Sequence, residues 1–171
     1  MKKFLLLLYG VIVCISLTFC TAEHEPVKET GGKTTQEGSD EIVFGINESA
    51  VFDDLKFTAN EMKSSSGEGF FVPESGNVFV GIKFTIENIS DKKQTVSSLM
   101  LFDAYADGVK CEYSLSAACA FSEGQIDGDI APGKKLVGWY AVEIPSNWSS
   151  FELQAKANWL SNSSATFVFS K

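Results

Sequence analysis

The chain has 171 residues, 44% of them apolar, a formal charge of −8 and no arginine. An acidic surface without guanidinium groups repels phosphate backbones and lacks the planar fork that reads them, so nucleic acid is excluded as an expected partner. The only histidine is His24, in the polar segment that precedes the strand-rich part of the chain. That excludes Ser-His-Asp and Cys-His nucleophile systems and histidine-based zinc sites.

Met1-Lys2-Lys3 followed by an apolar run over residues 4–17 has the form of a secretory signal. The run is shorter than the roughly 20 residues of a membrane span. Leu17-Thr18-Phe19-Cys20 then resembles the lipobox of bacterial lipoproteins. This implies a signal over 1–20, a lipid anchor at Cys20, and a place at the outer face of the cytoplasmic membrane. Phe19 is larger than the residue such signals carry before the cysteine. Cleavage after Ala22, giving a secreted chain, therefore stays open, as does an uncleaved anchor. Without Lys2 and Lys3, 12 of the 14 basic residues stand against 22 acidic ones.

Residues 21–40 are almost wholly polar, with one proline. Such a segment cannot bury enough surface to offset its ordering entropy, and it is expected to be a disordered tether. Residues 41–171 form the expected folded domain.

Strands follow one another through that domain. Residues 41–46 and 51–60 are the first two. Over 77–88, Val78, Val80, Ile82, Phe84 and Ile86 alternate with Phe79, Gly81, Lys83, Thr85 and Glu87, a period of two over a full strand. Residues 95–106 form the next strand, closed by the hairpin dipeptide Asp107-Gly108. Residues 109–115 return, with Val109, Cys111, Tyr113 and Leu115 on one face. Pro132-Gly133 turns the chain into a strand over 134–144, which Pro145 ends. Phe151, Leu153, Ala155 and Ala157 mark another, and 165–170 the last. No long window carries a helical period. About seven to nine short strands predict an all-β, immunoglobulin-like two-sheet antiparallel sandwich.

These residues also carry a resemblance. Leu55-Lys56-Phe57-Thr58, Ser75-Gly76-Asn77-Val78-Phe79-Val80 and Ile86-Glu87-Asn88-Ile89-Ser90-Asp91-Lys92-Lys93-Gln94 come in order. Ala131-Pro132-Gly133-Lys134-Lys135, Gly138-Trp139 and Glu143-Ile144-Pro145 follow. Together they resemble domain-of-unknown-function family 4352, found on exported bacterial proteins and similar to the immunoprotective extracellular antigen fold. The resemblance spans about residues 51–169. It implies fold and location, and it supplies no catalytic residues.

Cys111 and Cys119 are the only cysteines in the domain. In an exported protein they could form a disulfide closing a loop of about nine residues, worth ~2–3 kcal/mol, or remain reduced. Asp127-Gly128-Asp129 has the look of a calcium loop but too few carboxylates for one. It reads as a solvated turn, and no metal or cofactor is expected. Asp53, Asp54, Glu61 and Glu143 show no spacing that would set two acids across a cleft, so enzyme activity is not expected. Asn47, Asn88, Asn147 and Asn162 each begin an Asn-x-Ser triplet and read as loop polarity.

One strand is apolar on both faces: Leu136, Tyr140, Val142 and Ile144 on one, Val137, Trp139 and Ala141 on the other. A sandwich buries only one face of each sheet. Phe79 and Trp139, with Trp148 from a loop, are therefore candidates for an exposed binding patch, unless a segment such as 64–74 covers them. The expected function is a non-catalytic surface module, membrane-tethered and binding an unidentified protein. The alternatives are a carbohydrate-binding module that stacks sugars on Trp139, Trp148 or Trp159, or a freely secreted protein.

Overall fold

The strongest period-two segment becomes the centre of the fold. In the structure, a computed structural model that describes residues 27–29, 42–52, 54–121, 124–158, 160 and 163–171, the elements run as follows. The first half holds β1 (Val27–Glu29), β2 (Val43–Phe44), β3 (Ser49–Val51), β4 (Leu55–Ser65), β5 (Asn77–Asn88), β6 (Gln94–Val96) and the helical turn α1 (Ser98–Leu101). Then come β7 (Phe102–Ala106), β8 (Val109–Cys111), the turn α2 (Leu115–Cys119), β9 (Gly128–Ile130), β10 (Lys135–Pro145), β11 (Ser150–Lys156) and β12 (Ser164–Ser170).

Two five-stranded sheets face each other, in the orders β1-β3-β4-β5-β10 and β2-β12-β11-β7-β8, with β6 and β9 as a separate ribbon. The β2–β12 pair is parallel and the other ladders are antiparallel. This is the sandwich that the alternation predicts. Its core is aromatic. Phe84 of the first sheet meets Phe102 and Phe167 of the second with ring centroids 5.5 and 5.2 Å apart, and Phe57 meets Phe102 at 5.9 Å. Each fully buried phenylalanine contributes roughly 1.5–3 kcal/mol by leaving water, and each such ring pair about 0.5–1.5 kcal/mol more.

Four expected strands differ, each for a local reason. Residues 95–106 do not form one strand. The Asp127 carboxylate accepts from both the backbone N–H and the hydroxyl of Ser98, each at 2.8 Å. That draws the chain into α1 between β6 and β7. Residues 51–60 break at a turn closed by Phe52 N–H to the Leu55 carbonyl, 2.9 Å. The strand then continues to Ser65 past a bulge between Ala59 and Glu61, where Asn60 Oδ1 accepts from the Thr85 hydroxyl. Residues 109–115 leave the β7 ladder after Cys111, with Tyr113 bridging to Val142 of β10. Ser114 caps a new helical turn through its side-chain oxygen, which accepts from Ala117 N–H at 3.1 Å. Residues 41–46 contribute only Val43–Phe44 to a ladder.

The expected tether also holds structure. Val27–Glu29 pairs with the β3 edge, Val27 opposite Val51 and Glu29 opposite Ser49. The remainder of 21–40, and the signal with Cys20, lie outside the described residues.

Asn88, read from sequence as loop polarity, is fully buried. Its Nδ2 donates to the carbonyls of Ile130 (2.8 Å) and Lys92 (2.6 Å). Its Oδ1 accepts from Ser90 N–H and the Ser90 hydroxyl. Its own N–H and carbonyl pair with Lys134 and Gly133. The side chain of one residue thus ties the β5–β6 turn to the end of β9, and its backbone holds the turn before β10. Of the other Asn-x-Ser positions, Asn47 takes a positive φ of 64° in a turn, Asn147 is exposed, and Asn162 lies outside the described residues.

Asn88→Ala leaves two carbonyls without their donor and should cost about 2–4 kcal/mol. The expected readout is a lower urea midpoint at unchanged slope; an unchanged midpoint would show that the hub is dispensable.

Candidate interaction surface

Phe79 and Trp139 do lie on the outer face of the first sheet, as alternation requires, but they are not exposed. Phe79 is 0% and Trp139 2% accessible. The cover is α2 and the residues after it, not the 64–74 loop. The Phe121 ring stacks on the Trp139 indole at 4.8 Å and 22°. Ala117, Ala141 and Phe79 complete a second small core beneath α2. The Lys63 and Lys83 ammonium groups lie 5.4 and 6.0 Å from the indole, adding a modest cation–π attraction.

Gly81 admits this roof, and Gly138, on the inner face of β10, admits the Gln125–Ile126 segment that follows it. A Cβ on Gly81 would come within 2.7 Å of the Phe121 ring, and one on Gly138 within 2.7 Å of the Gln125 carbonyl oxygen. The roof segment also pairs with the middle of the β10 edge. Trp139 N–H donates to the Gly124 carbonyl at 2.9 Å, and the Ala141 carbonyl accepts from Ser114 N–H at 3.3 Å.

Trp148 is likewise buried, at 2%. It leaves the β10–β11 connection to pack against Phe151, and its Nε1 has no hydrogen-bond partner. The expected patch of Phe79, Trp139 and Trp148 is therefore corrected. Alternation placed Phe79 and Trp139 on the outer face correctly, but a segment distant in sequence covers that face, and Trp148 turns inward from its loop. Trp159 lies outside the described residues.

The two domain cysteines are free thiols, Cys111 half-buried and Cys119 exposed, so the bridge that sequence allowed is not formed. Cys111 Sγ turns back to the Val109 carbonyl at 3.4 Å, and Cys119 ends α2 facing solvent. Burial pushes the Cys111 thiol above its ordinary pKa. Tyr140, packed between Phe102 and Tyr113, is pushed up strongly by burial and stays neutral. Burial also raises Tyr113. The Ser98 hydroxyl partly offsets this, yet it bonds to Asp127, and Tyr113 Oη is left without a hydrogen bond of proper geometry.

Four of the candidate acids, Glu61, Asp127, Asp129 and Glu143, are engaged in structural bonds, and Asp54 stands exposed. Asp127 holds Ser98, and Asp129 holds the Thr95 hydroxyl and Lys93 Nζ, so the pair diverges instead of converging on a cation. Glu61 pairs with Lys63. Asp103, on the outer face of the second sheet, pairs with Lys156 and Lys110, which hold its carboxyl below the ordinary range. Asp53 lies outside the described residues.

Among the described residues, three consecutive exposed apolar side chains stand on the β4–β5 hairpin, and Leu99 with Met100 on α1 form an exposed pair. Phe70, Phe71 and Val72 are 100%, 43% and 57% accessible. Glu68 and Phe71 exchange both backbone hydrogen bonds, at 3.0 and 3.1 Å, with Gly69 at φ 62° inside the turn. Gly67 sits at φ 78°, and a Cβ there would fall 2.0 Å from the Phe71 oxygen. Glu143 fastens the base, its Oε1 accepting from Glu74 N–H (2.7 Å) and Asn77 Nδ2 (3.0 Å). The signal in the sequence is an apolar triplet after Gly-Glu-Gly in an otherwise polar loop.

A family profile, "Domain of unknown function (DUF4352)", matches residues 44–165. The chain belongs to the DUF4352 family. No curated protein matches it. Its fold is similar to that of ycdA from Bacillus subtilis, a candidate lipoprotein, at TM-score 0.59 and 14% identity, over 71% of this chain. The match spans only 38% of ycdA. A β-sandwich protein from Clostridium difficile 630 is similar at TM-score 0.52 and 19% identity, over 81% of this chain and 99% of that one. MPT63, a secreted protein of Mycobacterium tuberculosis, is similar at TM-score 0.50 and 14% identity, over 78% and 100%.

The DUF4352 match covers the roof and the hairpin alike. Gly81→Ala should displace Phe121 from Trp139, cost about 1–3 kcal/mol and raise acrylamide quenching of tryptophan emission. Unchanged quenching would mean that the roof does not depend on close approach at Gly81. In the folded DUF4352 domain, iodoacetamide should label Cys119 before Cys111, whose labelling should need a higher pH. A chain that takes up label only after reduction would show a bridge instead.

Proposed function

We propose that this DUF4352 chain is an exported, non-catalytic interaction module. In this reading it is a lipoprotein anchored through Cys20 at the outer face of the cytoplasmic membrane, and its sandwich meets a protein partner. One contrast carries the reading. Glu61, Asp127, Asp129 and Glu143 bond to neighbouring backbone, hydroxyl or lysine groups, while consecutive apolar side chains are held out in water at the hairpin. Chemistry needs free, converging polar groups; recognition needs presented apolar ones.

The lipobox-like Cys20 and the likeness in fold to a candidate lipoprotein and a secreted protein support export. Among the described residues no helix is long and apolar enough to cross a membrane. Sugar stacking on Trp139 or Trp148 loses its support, because both rings are buried.

The test is the intact mass of the native protein recovered from cells. The expected species begins at Cys20, carries added acyl mass and fractionates with membranes. A chain beginning at Glu23 in the medium would replace the anchor with free secretion. Turnover of glycoside, ester or peptide reporters by the pure protein would end the non-catalytic reading.

A further inference from the structure

We infer that the Phe70-Phe71-Val72 tip is a plug for an apolar pocket, rimmed by basic side chains, on a second protein lying away from the anchoring membrane. This deepens the reading above and rests on it.

The topology supplies the direction. β4 runs from Leu55 to Ser65, and the tip follows its far end. β3 pairs with the near end of β4, Val51 opposite Lys56, and β1 pairs with β3 in turn. β1 is antiparallel to β3, so Val27, its first residue, stands at the near end opposite Val51. The 11 residues of β4 put the two ends roughly 35 Å apart. A chain held by a segment preceding Val27 therefore presents the tip at the opposite pole.

Shape and stiffness supply the kind of contact. The tip is convex, so its complement is concave. It is already fixed by the reciprocal Glu68–Phe71 bonds, the forced glycine at 67 and the Glu143 clamp. Binding would therefore order little that is mobile, and aromatic side chains entering a desolvated pocket are the usual source of interface energy.

Charge supplies the chemistry. Glu68 and Glu74 flank the tip, both exposed. No lysine or arginine lies between residues 64 and 82. An anionic bilayer would repel this loop, and a membrane-inserting tip would need the flanking cations it lacks. An acidic collar is complementary to a basic rim.

The experiment places p-benzoylphenylalanine at position 70 of the full chain in its source cells. A control places it at Val137, an exposed apolar position on the outer face of β10. The expected result is a discrete adduct from position 70, at least about tenfold weaker from 137. The cross-linked peptide, identified by mass spectrometry, should line an apolar pocket with lysine or arginine at its edge. Glu68→Lys with Glu74→Lys should reduce the adduct by a similar factor at an unchanged urea midpoint.

A homodimeric adduct, an equal adduct from both positions, or no effect of charge reversal would overturn the inference. So would a blue shift of a Phe70→Trp variant on phosphatidylcholine or phosphatidylglycerol vesicles. An adduct at 137 alone would sink the plug and leave the module standing. No adduct at either position would sink both.

Discussion

The β5–β10 ladder governs this molecule. Eleven consecutive pairs, from Lys135 opposite Glu87 to Pro145 opposite Asn77, hold the two strands together, and along much of that length both faces are apolar. Ile82, Phe84, Tyr140 and Val142 point between the sheets, while Phe79, Trp139 and Ala141 point away. A two-sheet sandwich cannot cover both. A third layer is required, and α2 with Phe121 supplies it.

That requirement explains features that otherwise look unrelated. Gly81 lacks a side chain because the Phe121 ring comes too close for a Cβ, and Gly138, on the inner face, because the Gln125–Ile126 segment does. Ser114 turns the chain into a helix because the segment must leave β8 and lie across the sheet. The same segment bonds to β10 through Gly124 and Ser114, so the middle of the strand edge and the aromatic face are sealed together. A sealed edge gives no template for pairing with another chain.

The sealing also moves the functional question. Rings that could have bound a partner are spent on the roof, and the β4–β5 hairpin is left as a concentrated apolar presentation. Glu143 joins the two: it belongs to β10, and its carboxylate clamps the base of the hairpin. The ladder that demands the roof also steadies the tip.

Sequence alone determined what depends on neighbours along the chain. Alternation gave β5, β10, β11 and β12 their extents to within a residue or two, because a pleated strand turns successive side chains to opposite faces whatever surrounds it. Residue types missing from the chain, arginine throughout and histidine beyond His24, need no coordinates to be known. Alternation even showed that one strand was apolar on both sides.

Contacts between distant residues could not be read that way. Asp127 breaking the strand at Ser98, Asn88 bonding to Ile130, and Phe121 lying on Trp139 join positions 18 to 42 apart. Each looks like an ordinary loop residue until the fold brings its partner. Periodicity says which way a side chain faces. Only the tertiary structure decides what, if anything, stands in front of it.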